Sequence, residues 1–244
     1  LPLPKRGDEA WRFSTTTGFT LDGFTVDQVP AASPALNAPF GPAVFTFVNN
    51  AVSASTALPP DLVAQGVIVT TLAEATLKHA ALLKAHFMAQ PQKLGSEKFA
   101  ALHTAFVGAG AFVYIPRGVE VTSPIVFTHA AAGKGTAVFP HTLVIAEENS
   151  KATIVDYFVS ADTGAHFALG ANDLYAAHGA QLTYVAAQDW SRDTLSLQLN
   201  STVVRRDARV QSLNVHLGGR QARHESLSQL QAPGAFSEML ALTA

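Results

Sequence analysis

One pattern returns four times in the second half of this chain, and it restricts the possible folds more than any other feature. Thr142–Val155, Asn172–Val185, Ser201–Leu213 and Leu227–Leu240 each read as a short apolar strand, a polar or glycine corner, and an alternating strand. The corners fall near Ser150, Gly179, Asp207 and Gly234, about 28 residues apart, a spacing typical of repeat proteins. No unit contains a helix-length amphipathic run, and two short strands cannot bury an apolar face alone. The units must therefore stack, each covering its neighbours. The expected fold is mainly β: a parallel β-helix (solenoid), right-handed by the general crossover preference, with an N-terminal helical region.

Composition supports an extended core. Hydrophobic residues make up 48% of the chain and charged residues 14%, too apolar for disorder over most of its length. A formal charge of −2 points to neither nucleic acid nor an anionic membrane as partner. No apolar run is long enough to span a bilayer. The opening Leu1-Pro-Leu-Pro-Lys-Arg6 lacks the apolar stretch of a signal peptide. Cysteine is absent, so these residues offer no disulfide and no thiolate for a nucleophile, a zinc site or an iron–sulfur cluster. A cytoplasmic location fits that composition. The sequence ends inside an alternating strand, Met239–Ala244, with no polar end cap of the kind solenoids need. The expectation is a fragment, incomplete at its C-terminus, whose open strand edge could pair with itself.

The chain divides by pattern into an N-terminal region, 1–110, with a small hairpin and two or more helices, and a β-helix core, 111–244. Ala43–Val48 alternates like a strand and runs into Asn49-Asn50, a turn signal. Thr71 and Glu74 have capping-box spacing ahead of a helix over Leu72–Met88, which Pro91 stops. Leu72, Leu83 and Phe87 form its apolar stripe. Ser96 is expected to cap a second helix with Phe99, Leu102 and Phe106 on one face. These helices are expected to cover the open N-terminal end of the solenoid. From Ala111 the period returns to two, with strands at Phe112–Ile115 and Val119–Phe127 around the turn Pro116-Arg-Gly118.

Chemistry-bearing motifs are few. There is no P-loop, dinucleotide fingerprint, Gly-x-Ser-x-Gly elbow or His-Glu-x-x-His helix. His141, His166, His178, His216 and His224 lie in the strand region, where stacking could bring residues from different coils together. A metal site needs three or four converging ligands, and the simpler expectation is solvated or hydrogen-bonded imidazoles. His224 and Glu225 are strand neighbours and must face opposite ways. Asp156, Asp173, Asp189, Asp193, Asp207 and Glu225 could serve a β-helix polysaccharide lyase or hydrolase if aligned in a groove. The cluster Arg205, Arg206, Asp207, Arg209 sits instead on a corner. Trp11 and Trp190 are read as core or capping residues ahead of partner anchors.

Several stretches, in order, resemble one family. They are Glu9-Ala-Trp-Arg-Phe13, Gly66–Ala75, Lys98–Ala105, Gly110–Val119, Thr142–Ser150 and Arg205-Arg-Asp-Ala-Arg209. Together they are similar to the SufB/SufD scaffold family of the Suf iron–sulfur cluster assembly system, in its SufD-like branch. His103 departs from the family's block, where Asn is expected, which puts one local hydrogen bond in question. The resemblance implies a non-enzymatic subunit that binds no cofactor in this stretch but belongs to a complex handling iron–sulfur clusters. It implies a SufB-like paralogue as partner and a SufC-like ABC ATPase. The family's cluster-assembly residues are expected beyond Ala244, so no catalytic, cofactor-binding or metal residue is carried over. The rivals are the polysaccharide enzyme and a plain protein-interaction rod.

Overall fold

The computed structural model describes residues 4–5, 7–14, 20–26 and 36–244. Residues 1–3 and Arg6 of the opening stretch lie outside them. A hairpin comes first: β1 (Phe45–Val48) and β2 (Ala51–Ser55), antiparallel, joined by Asn49-Asn50. Both asparagines are left-handed, φ 48° and 65°, as a tight hairpin turn of this hand requires. Their side chains also anchor the turn. Asn49 exchanges two hydrogen bonds with the backbone of Ala132, and Asn50 bonds Ala137 O and Phe139 N, so the hairpin is pinned to the solenoid.

Next come α1 (Pro60–Ala64), β3 (Ile68–Thr71), α2 (Leu72–Lys78), α3 (Ala80–His86) and α4 (Glu97–Phe106). The β region continues with β4 (Ala111–Ile115), β5 (Ile125–Ala131), β6 (Thr136–Val138), β7 (His141–Ala146), β8 (Lys151–Ser160), β9 (His166–Ala176) and β10 (Gln181–Asp189). It ends with β11 (Leu195–Val204), β12 (Arg209–His216), β13 (Gln221–Leu230) and β14 (Phe236–Thr243).

The strands alternate between two sheets as the chain winds. The first sheet has the order β13-β11-β9-β7-β4-β3, with β6 also on β9, and the second β14-β12-β10-β8-β5-β1-β2. Among β4–β14 every pairing is parallel. This is a two-sheet parallel solenoid of about five turns, as the repeat pattern requires. β5 starts at Ile125, later than the alternation over Val119–Phe127 suggests. Pro124 has no N–H for a ladder, and only Glu120 bridges to Lys151 before it.

The corners explain the repeat. Their backbones stack, Gly118 N on Glu148 O, Asn149 N on His178 O, Gly179 N on Arg206 O and Asp207 N on Pro233 O. Each corner turns through one left-handed residue: Gly118, Asn149, Gly179, Asp207 and Gly234, with φ from 54° to 74°. Glycine and Asn/Asp are the residues that reach this conformation cheaply. They alternate for a steric reason. A Cβ on Gly179 would sit 2.2 Å from Asn149 Oδ1, and one on Gly234 would sit 2.0 Å from Asp207 Oδ1. The longer side chain at one rung fills the space that the next glycine leaves.

Between the sheets lies the main core, including Phe47, Ile115, Ile125, Phe127, Val144, Ile154, Leu174, Leu182 and Val204. The first sheet is also apolar on its outer face, and β7 and β4 are buried almost throughout. That outer face needs a roof, and the helices supply it. Leu72 and Ala75, with Leu83 and Phe87, cover Phe112, Leu143 and Ile145. Phe99 and Trp11 cover Phe167, Leu169, Leu195, Leu197 and Leu199. Burying a side chain such as Phe99 contributes about 1.5–3 kcal/mol. The helices therefore lie along the flank of the solenoid and not across its N-terminal end. There, the chain-reversing strands β2 and β3 finish the two sheets.

Two helix details also differ from the sequence reading. The run Leu72–Met88 breaks at His79 (φ −132°, ψ 33°) into α2 and α3, which lets the His79 ring stack on Phe112. Thr71 Oγ1 does accept the Glu74 N–H at 3.1 Å. Ser96 precedes α4 but caps nothing with its side chain; its hydroxyl donates to Glu225 Oε1 at 2.7 Å.

Candidate functional site

The interior of the solenoid is apolar at the middle rungs and polar along one side. Register places Gly170, Gln198 and His224 in one inward column of the first sheet. His129, Phe158, Gln188 and His216 form a column of the second. A further column of the first sheet holds Thr142, Asn172, Asn200 and Ser226. Inward polar residues recur at one position per coil because each coil repeats its neighbour's orientation, and the second-sheet column is interrupted by Phe158.

Two clusters form on these columns. In the first, the fully buried Asp156 accepts from Tyr184 Oη at 2.6 Å, Thr142 Oγ1 at 2.9 Å and His129 Nε2 at 3.2 Å. The His129 ring is sandwiched between Phe47 and Phe158, centroids 5.0 and 5.2 Å away. Burial, then the Asp156 charge, pushes the Tyr184 hydroxyl well above its ordinary value, so it stays a proton donor to the carboxylate. Three donors on one buried carboxylate satisfy it without a bound cation.

The second cluster lies between β11, β12 and β13. The Asn200 amide lies 2.5 Å from His224 Nε2 and donates to Asn214 Oδ1 at 3.3 Å, and Gln198 Nε2 donates to Asn200 Oδ1 at 3.1 Å. Ser226 Oγ lies 2.9 Å from His224 Nε2. A cavity of about 20 Å³, room for a water molecule, is lined by Gln188, Gln198, His216 and His224. Burial, then the neighbouring His216, lowers His224 to about 4, and burial lowers His216. Both rings are neutral near pH 7.

A third set sits under the helical roof. His103 Nδ1 meets Leu169 O at 2.8 Å, and its Nε2 meets His141 Nδ1 at 3.0 Å. His141 Nε2 is 3.5 Å from Asp173 Oδ2, which accepts the Met88 N–H at 2.6 Å. Burial, then His141, lowers His103 to about 3. The imidazole at position 103 thus makes one hydrogen bond to the sheet backbone and one to His141. The set ties α4 and the chain after α3 to β7 and β9.

Of the five strand histidines, the structure brings only His216 and His224 together. His141 joins His103, His166 pairs with Asp162 at 3.2 Å, and His178 meets Asp207 at 3.5 Å on an exposed corner. His224 and Glu225 do face opposite ways. Glu225 turns outward to Ser96 and Arg223, and Arg223 also stacks on Trp11. The carboxylates are dispersed: Asp156 inside, Asp173 under the roof, Asp189, Asp193 and Asp207 exposed, and Glu225 two strands from Asp173 on the same sheet's outer face. They share no groove. Trp11 and Trp190 are both buried. Among the described residues, no group of three or more His, Asp or Glu is placed to hold a metal ion. Sequence reasoning missed His129, Tyr184, Asn200 and Asn214. The weak signal was a polar residue at an inward position of an otherwise apolar strand.

Comparison with known proteins supplies the rest. Residues 41–127 match the SufBD protein N-terminal region, and residues 127–244 match the SufBD core domain of SUF system FeS cluster assembly. The iron–sulfur cluster assembly protein SufD of Bacillus subtilis is 36% identical over 103 residues, 42% of this chain and 24% of that protein. A SufBD family protein of Synechocystis is 28% identical over 159 residues, 61% of this chain and 35% of the relative. SufB of Bacillus subtilis is 24% identical over 185 residues, 75% of this chain and 39% of the relative. The chain spans well under half the length of each of these relatives.

Proposed function

Since the chain belongs to the SufB/SufD family of iron–sulfur cluster assembly proteins and is SufD-like within it, we propose that it serves as a non-enzymatic scaffold subunit of a cytoplasmic cluster assembly complex. The match of two family regions in order over residues 41–244 carries this reading. Its partners are a SufB-like paralogue bearing cysteine and a SufC-like ABC ATPase. The chemistry of this chain supports that division of labour. With no cysteine in its 244 residues, thiolates for a cluster must come from outside them. The cluster is then cargo of the complex, and this chain contributes stiffness and position.

Stiffness has a physical source here. Parallel ladders run unbroken through β4–β14, and the helices α2, α3 and α4 brace one flank of the solenoid. A rod of this kind moves as a body, so an ATP-driven change at one attachment point would be transmitted to a distant interface. The test is co-purification of the full-length protein from its own cells, followed by cluster reconstitution. The expected result is retention of an ABC-type ATPase and a cysteine-bearing paralogue, with cluster formation falling when this subunit is omitted. Retention of neither partner, or undiminished cluster formation without it, would overturn the reading.

A further inference from the structure

Under the helical roof, two imidazoles bridge a main-chain carbonyl and a carboxylate. Leu169 O meets His103 Nδ1 at 2.8 Å, His103 Nε2 meets His141 Nδ1 at 3.0 Å, and His141 Nε2 lies 3.5 Å from Asp173 Oδ2. His103, His141 and Asp173 are each no more than 1% exposed. Both ends of this bridge only accept protons. The carbonyl oxygen takes one from His103 Nδ1, the carboxylate takes one from His141 Nε2, and the middle contact takes one more. Three contacts need three ring protons, and two neutral imidazoles carry only two. Asp173 shows the same shortage from its own side. Among the described residues its other donor is the Met88 N–H at 2.6 Å, whereas Asp156 has three donors. A buried carboxylate so poorly satisfied needs a positive charge beside it. His141 Nε2, buried and without a hydrogen-bond partner, would otherwise turn a bare lone pair toward that carboxylate.

We propose that His141 carries the third proton, and that this buried imidazolium, paired with Asp173, is a pH-operated clamp that holds the helical roof on the first sheet. The proton does not sit on His103, because burial, then His141, lowers that ring to about 3. The clamp joins α4 through His103, the chain after α3 through the Met88 N–H, and β7 and β9 through His141 and Asp173. Other charged and titratable groups on the packed elements are engaged elsewhere or reach solvent. Glu74 and Lys78 pair on α2, His79 stacks on Phe112, and His86 sits at Leu82 O and edge-on to Tyr175. Tyr175 Oη donates to His86 O, and His166 pairs with Asp162. Lys84 and Glu97 are exposed and Lys98 is half-buried. Loss of the third proton leaves one contact without a hydrogen and Asp173 without its counter-charge, which loosens the roof. A fourth proton, on His103 toward pH about 3, sets two N–H groups against each other. The clamp is closed between these limits. The inference stands apart from the scaffold reading, and either can fail alone.

The test reads the ring nitrogens of the unaltered 244-residue protein by histidine ¹⁵N NMR at neutral pH. His141 should carry protons on both nitrogens, and His103 on Nδ1 alone. In H103N one amide NH2 group serves both Leu169 O and His141 Nδ1, so His141 should carry a single proton. In D173N the counter-charge is gone, and His141 should again carry one. The folded chain holds a proton that the unfolded chain releases above about pH 6.5. The folding constant should therefore fall as pH rises past that point, by up to about tenfold per unit. Protection of the α4 amides from hydrogen exchange, corrected for the intrinsic rate, should fall with it, and both trends should flatten in H103N. The first measurement needs no variant, so it stands even where a variant fails to fold. A single proton on His141 in the unaltered protein, a protonated Asp173 carboxyl, or α4 protection that stays constant as pH rises would each overturn the proposal.

Discussion

The alternation of glycine and Asn/Asp along the corners can be tested as a coupling. In Gly179→Ala, two costs arise. The backbone is left-handed at φ 68°, which costs an alanine about 1–2 kcal/mol. Part of this, about 0.4–1 kcal/mol, is offset because alanine stiffens the unfolded chain. The new Cβ also lands 2.2 Å from Asn149 Oδ1, and such overpacking costs about 1–3 kcal/mol. The lower end applies, because the end of the Asn149 side chain can swing aside. The expected total is about 2 kcal/mol. In the Asn149→Gly background the obstructing oxygen is gone, and only the conformational part, about 1 kcal/mol, should remain. Urea unfolding of the wild type, both single variants and the double variant gives the coupling directly, provided the four slopes agree. A coupling of about 1 kcal/mol is expected. Additivity within about 0.3 kcal/mol would refute the steric account and leave the glycines explained by backbone conformation alone.

Three further outcomes follow from buried polar groups. Tyr184→Phe removes the Asp156 bond at 2.6 Å with little change in volume and should cost about 1.5–3 kcal/mol in urea unfolding; a loss under about 0.5 kcal/mol would show that Thr142 and His129 suffice. Arg223→Ala strips Glu225, 5% exposed, of its cation, and removes the stacking on Trp11 and the bonds to Ser14, Ala10 and Leu94. It should cost about 3 kcal/mol and red-shift Trp11 emission, measured in a Trp190→Phe background; unchanged emission would show that the segment holds without the arginine. His103, held at about 3 by burial, lies below the unfolded value of about 6.5. The unfolded chain then binds a proton that the folded chain refuses, so stability falls as pH drops from about 6.5 toward 3, by up to about 1.4 kcal/mol per unit. Thermal melts across that range should show a shallower decline in His103→Asn; an identical slope would place the acid sensitivity elsewhere.

The solenoid was legible because its signal repeats. One left-handed corner residue and two short strands per coil are local requirements, and four copies of them leave little else to build. The antiparallel hairpin at Asn49-Asn50 was legible for the same reason, since turn chemistry is written in adjacent residues. The position of the helical roof was not. An amphipathic helix shows that it must cover something apolar, but Phe99 does not say whether that is a sheet end or a sheet face. The answer lay in the strands: His141–Ala146 does not alternate, because both of its faces are covered.

The polar interior was hidden by a different cause. His216 and His224 are eight residues apart in sequence, and nothing in their spacing places them on facing sheets at 5.0 Å. Their meeting depends on the corner between them, Leu217–Arg220, where Gly218 and Gly219 let the chain pass close to Trp190. A Cβ on Gly218 would fall 1.9 Å from Trp190 O. The tight corner draws the end of β12 and the start of β13 together, and both imidazoles turn inward because register with Gln188 and Gln198 fixes their faces. Side chains at the solenoid corners therefore set its shape, while those just inside the corners decide how polar its interior is. The sequence signal for the second is a pair of inward polar residues flanking a glycine corner, which only the strand register can identify.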